Sequence, residues 1–295
     1  MDPQTESSQA SRPDYRRWLR GTLIFLALLV IARFVLEIAG ASHRGTSILS
    51  TTAFVFLAAV YLGATAPLRR VARTVQLIVP AAALAVWTQA WVILATFLTF
   101  IFRIERSHYL SPEEFGSWGS LGRHLMGHIV ETLVFAVLIF VLMSIVFFLR
   151  RWPLAVGPGA VLGILVILRY WLEAMEVVEP APVAMSSTVG ILASAVYLGG
   201  IGAKFGLSTL RQFLGPALAL GWVWRLWVFL ATLLTALVPF YKTHFFDPSQ
   251  GQVAWRLARF FFGGVLVEGL IMGLIVWAIA IWISRATRPS SQPTT

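Results

Sequence analysis

The chain of 295 residues contains no cysteine. Disulfides, thiolate metal sites and cysteine nucleophiles are therefore excluded. Charge is scarce as well: Asp, Glu, Lys and Arg make up 12% of the residues, where a soluble domain carries about 25%. With 58% hydrophobic residues and a mean hydropathy of +0.79, the chain cannot cover a soluble surface with polar groups. A large soluble protein with buried helices is excluded on that ground. There is no G-x-G-x-x-G, no P-loop and no H-E-x-x-H, the motifs that would mark nucleotide or zinc chemistry. No extended soluble segment exists to hold a nucleotide. Nucleophilic catalysis lacks support too. Ser50, Thr51, Ser186 and Ser187 stand at the starts of helical segments, where they cap or pack.

What is present is apolar and repeated. Several apolar runs exceed the length of about 18 residues that marks a transmembrane helix. The chain holds 12 Trp and 21 Phe, residues suited to lipid contact and to the membrane interface. WVILATFLT at Trp91–Thr99 returns as WVFLATLLT at Trp227–Thr235, an offset of 136 residues. At the same offset Arg33 and Glu37 meet Arg169 and Glu173, and AVYLG at Ala59–Gly63 meets Ala195–Gly199. Gln76 meets Gln212, His108 meets His244 and Pro112 meets Pro248. After Pro112 the register slips by one, so that Trp118 meets Trp255 and Glu131 meets Glu268.

The expected fold is all-α and polytopic, with about eight transmembrane helices arranged as two fused parallel four-helix repeats. The expected spans are 21–41, 48–66, 80–103 and 127–149 in the first repeat. In the second they are 154–176, 184–202, 214–239 and 262–284. The domain plan is a basic N-terminal segment 1–20, repeats 21–151 and 152–284, and a disordered tail 285–295. Residues 1–11 are expected to be disordered, and Arg12–Arg20 to lie at the membrane surface. Each long connector carries a helix-start device, Ser111-Pro112-Glu113-Glu114 and Asp247-Pro248-Ser249-Gln250. Gly116, Gly119 and Gly122 should weaken the first connector's helix; the second can run straight into its span.

An even number of spans per repeat makes both copies enter the membrane from the same side. Their pseudo-twofold axis then lies along the membrane normal. Thirteen of the 23 Lys and Arg fall on the side of the termini and seven on the other. This bias places both termini in the cytoplasm of a cell (inner) membrane protein. It also accounts for the net charge of +10 without nucleic acid.

Charges inside spans mark the candidate site. These are Arg33, Glu37, Glu131, Arg169, Glu173, Arg225 and Glu268, with Gln89 as the repeat counterpart of Arg225. Each Arg–Glu pair of the first helices is spaced i,i+4 and shares a face. Either arginine could also reach Glu131 or Glu268 across a helix interface. Arg225 and Gln89 are the candidates nearest mid-membrane. Three readings follow. A translocation path for a small ion or polar solute uses these groups. A scaffold or accessory subunit, docked to a membrane-protein partner, uses them as salt bridges that pin the first helix to the fourth. A lipid- or quinone-binding enzyme opens sideways beside Glu131, His124, His128 or Arg225. His124, His128 and Glu131 have the spacing of a helical metal site, but the second copy replaces the histidines by Phe261 and Val265. No metal or cofactor is expected. His108 and His244 are explained by interfacial hydrogen bonding, with a pH-sensitive role open to them.

Overall fold

A computed structural model describes residues 13–177, 181–237, 243–247 and 251–287. Expectations on residues 1–11, on Pro248, Ser249 and Gln250 and on the tail beyond 287 lie outside these. Among the described residues eight helices are long and apolar enough to cross a membrane. They are α1 (Tyr15–Ile38), α2 (Thr51–Arg69), α3 (Thr74–Phe102), α4 (Trp118–Arg151), α5 (Pro153–Ala174), α6 (Ser187–Phe205), α7 (Leu210–Leu237) and α8 (Val253–Ala286). Among the described residues no strand forms beyond an isolated bridge between Thr243 and Phe246. The protein is an all-helical, multi-pass membrane protein.

Local chemistry sets the helix starts. Asp14 accepts from the Arg17 N–H (3.1 Å), so α1 begins at Tyr15 and takes in most of the basic segment expected to lie on the surface; Trp18 and Leu19 are buried. Ser50 caps α2 by accepting from the Ala53 N–H (3.3 Å). Gln76 accepts from the N–H groups of Ala72 and Arg73 at 2.8 and 3.0 Å. Gln212 does the same for Ser208 and Thr209 at 2.8 and 2.9 Å. Each glutamine thus satisfies donors that the start of α3 or α7 leaves open.

The chain divides into two compact units, Met1–Ser144 and Ile145–Thr295, with the division inside α4. In the first unit α1 packs on α2 and α3. The α2–α4 crossing is set by Gly63, where an added Cβ would stand 2.6 Å from the Met143 carbonyl oxygen. In the second unit α8 packs broadly on α6 and α7, and α5 on the same two helices. Gly199, the counterpart of Gly63, would put a Cβ 2.5 Å from the Ala280 carbonyl oxygen. These glycines are required by backbone proximity, as in other membrane helix pairs.

The helix that Ser111 starts is only three residues long, Pro112–Glu114, and ends before Gly116, as expected; Gly119 and Gly122 lie beyond it, inside α4, which runs for 34 residues from Trp118 without interruption. Leu121 is buried with Phe100 and Leu110, and Phe115 and Leu125 pack on them. This burial outweighs a propensity cost of about 1 kcal/mol per glycine. At about 1.5 Å per residue, α4 and α8 are some 50 Å long and overhang a hydrocarbon layer of about 30 Å. Within α8, Phe260–Glu268 is wound as a π-helix.

Candidate functional site

Glu37 ends α1 and is sealed, with its side chain 1% exposed. Arg33 Nε donates to Glu37 Oε1 at 3.2 Å, and Thr46 Oγ1 donates to the same oxygen at 3.0 Å. The other oxygen, Oε2, accepts from the His108 backbone N–H (3.2 Å) and faces His108 Nδ1 at 2.7 Å. The second unit repeats this geometry. Arg169 Nε donates to Glu173 Oε1 at 2.9 Å, and His244 meets Oε2 through its backbone N–H at 3.0 Å and through Nδ1 at 2.6 Å. Threonine has no counterpart there, because position 182 is proline.

Each of these carboxylates therefore ties the first helix to the connector that follows the third. The expectation that they pin the first helix to the fourth is corrected: the arginines bond along their own helix and the histidines supply the long-range link. The sequence signal was the duplicated His108 and His244, with the partner left unassigned. The connectors are held in the same way. Thr99 Oγ1 donates to Ser107 Oγ at 3.0 Å, and Thr235 Oγ1 lies 2.8 Å from Thr243 Oγ1. The histidine ring packs on its neighbour at 3.9 Å in His108–Tyr109 and 4.0 Å in His244–Phe245. Burial pushes the Tyr109 hydroxyl up to about 12, and that hydroxyl has no hydrogen-bond partner.

The second group of charges sits between the third and fourth helices of each unit. Arg225 and Glu268 form an ion pair, and the Arg225 guanidinium lies 4.6 Å from the Trp224 ring. Counted along the helices, Arg225 stands about 21 Å from Arg211 and Glu268 about 26 Å from Arg285. In the first unit Gln89 interacts with Glu131, so the positions that correspond in sequence, Gln89/Arg225 and Glu131/Glu268, meet in each unit. Gln89 is buried, and its Oε1 has no partner. Glu131 and Glu268 differ from Glu37 in exposure: their side chains are 55% and 51% open.

The first unit adds histidines along α4. His128 Nδ1 lies 2.9 Å from Glu131 Oε2, and a carboxylate can only accept, so this nitrogen donates. His128 Nε2 is 3.5 Å from Thr96 Oγ1. His124 Nδ1 is 3.4 Å from Glu114 Oε1, and the two imidazole rings are 5.0 Å apart. Glu114 also accepts from Ser111 N–H and Oγ, both at 3.2 Å, completing the expected helix-start device. Among the described residues no group of three His, Cys, Asp or Glu is placed to hold a metal ion. A shallow groove beside the second unit's pair, about 420 Å³, is lined by Arg256, Arg259, Phe260, Gly263, Gly264 and Glu268.

Comparison with protein-family models, with curated proteins and with solved structures finds no match.

Proposed function

We propose that the protein passes a small ion or polar solute across a cell membrane, with its two four-helix units as parallel repeats and both termini in the cytoplasm. The observation that carries this reading is the contrast in exposure between the two kinds of carboxylate. A charge that only locks a fold is best enclosed by its partners, as Glu37 is. Glu131 and Glu268 have partners and still keep about half of their surface open. A carboxylate at that depth does not face hydrocarbon without cost; it faces water, a cation or another polar surface. Arg33–Glu37 and Arg169–Glu173 act in this reading as the frame that holds the connectors, and Gln89, Glu131, Arg225 and Glu268 as the groups the solute passes.

The lack of cysteine makes the native chain a clean background for the test. Single cysteines at positions 37, 131, 173, 225 and 268 are exposed to a membrane-impermeant thiol reagent from each side. Labelling at 131 and 268 with protection at 37, together with flux into liposomes, is the expected result. If none of the five labels in folded protein, the charges are sealed locks and a scaffold is the better description. A second reading is favoured by the groove of Arg256, Arg259 and Phe260, whose cations over an apolar bed suit the head of an anionic lipid. Binding of such a lipid without flux would support that reading instead.

A further inference from the structure

We infer that Glu114, His124, His128 and Glu131 form a proton relay that loads Glu131 from the connector side, so that the ion handled by the first unit is the proton. The inference rests on the translocation reading and names its ion. Four titratable side chains follow one another from the connector along α4. Glu114 meets His124 Nδ1 at 3.4 Å, the His124 and His128 rings are 5.0 Å apart, and His128 Nδ1 meets Glu131 Oε2 at 2.9 Å. Successive histidines at i,i+4 share a helix face, which is what lets one ring hand on to the next.

The step balances without any other reactant. A proton binds His124 at Nδ1, giving the imidazolium, which releases the proton at Nε2. His128 takes it at Nε2 and gives up its own Nδ1 proton to Glu131 Oε2. Both rings end as the opposite tautomer and reset by ring rotation or by the reverse transfer. Beyond Glu131 the buried Gln89 Oε1 is an acceptor with no protein partner.

Glu114 faces the histidines from the connector, and Thr96 and Gln89 face the line from α3. Arg123 is the neighbouring cation on α4, and its guanidinium donates to Ser120 Oγ at 3.1 Å. Tyr109 contributes its backbone carbonyl, 3.5 Å from Thr96 Oγ1. The second unit has no such line: Phe261 and Val265 replace the histidines, and Glu268 is held by Arg225, a permanent cation. One copy is thus built to change charge and the other to keep it.

The test uses full-length protein in liposomes. Infrared difference spectroscopy follows the carboxyl bands of Glu131 and Glu268, identified by E131Q and E268Q, while the medium on the connector side is stepped from about pH 7.5 to about 3.5. The expected result is a Glu131 band that responds and a Glu268 band that does not. In the H124Q/H128Q double variant the Glu131 response slows at least about tenfold, while H124Q alone slows it less, since water can replace the outer ring. An equal rate in the double variant overturns the relay, because Glu131 then meets bulk water directly. A dye trapped inside the liposomes, with a potassium diffusion potential imposed, reports whether protons cross. Glu131 loading that depends on the histidines, without internal acidification, keeps the relay and removes the translocation reading. Acidification that persists in H124Q/H128Q does the opposite.

Discussion

Replacing Glu37 by glutamine keeps the shape of the side chain and removes its charge, and the effect should exceed that of the same change at Glu173. Glu37 accepts from Arg33 Nε, Thr46 Oγ1 and the His108 backbone N–H, and it faces His108 Nδ1, all within 3.2 Å. A glutamine offers one carbonyl oxygen and one amino group, so at least one obligatory donor, Arg33 Nε–H or the His108 backbone N–H, must confront a donor. Breaking a buried charged pair from one side costs about 3–5 kcal/mol. Glu173 lacks the threonine donor and lies at a more open site, its side chain 14% and that of His244 46% exposed. Water reaches the cluster there, and the loss falls to about 1–2 kcal/mol. At roughly 2–4 °C per kcal/mol, E37Q should lower the melting temperature in detergent by about 10 °C and E173Q by about 4 °C. Thermal unfolding followed by the retention of monodisperse protein measures both. Equal losses, or a larger loss for E173Q, would refute the argument that enclosure and the third donor set the strength of the first cluster.

The glycine crossings give a second contrast. G63L and G199L drive side chains into the Met143 and Ala280 backbones and should each cost more than about 3 kcal/mol or abolish expression. G200A, whose Cβ meets nothing within 4 Å, should be neutral or stabilise by up to about 1 kcal/mol; expression level and melting temperature check all three. Tyr109 carries a buried hydroxyl without a partner, and its counterpart is Phe245. Y109F should therefore leave stability at neutral pH unchanged or raise it by about 1 kcal/mol. The folded pKa of Tyr109, about 12, lies above the ordinary 10.0. Its contribution is thus complete below pH 10.0 and is lost as pH rises toward 12, because the unfolded chain ionises first. Wild type should lose about 1 kcal/mol per pH unit in that window, and Y109F should not; alkaline melting curves decide it.

Composition and span length alone point to a membrane protein with about eight spans, because hydrocarbon permits few structures and a helix must be long and apolar to cross it. Duplication singled out the residues that matter: Gln76 and Gln212 as helix starts, Gly63 and Gly199 as close crossings, Arg33–Glu37 and Arg169–Glu173 as bonded pairs. All of these are local or depend on one short-range geometry, so spacing suffices to find them. Partners separated by many residues were not legible in the same way. Nothing in spacing said that His108 closes on Glu37, 71 positions away; for Arg225 the sequence left open a bridge to a glutamate of the fourth helix or contact with a polar ligand, and packing gave it Glu268. Ion pairing is set by distance in space, and distance in space is a product of helix packing. The continuity of α4 through Gly119 and Gly122 was decided in the same manner, by the burial of Leu121 against Phe100 and Leu110. The repeat named the charged groups; tertiary packing decided which are sealed, as Glu37 is, and which stay open, as Glu131 and Glu268 do, since exposure depends on every neighbouring element at once.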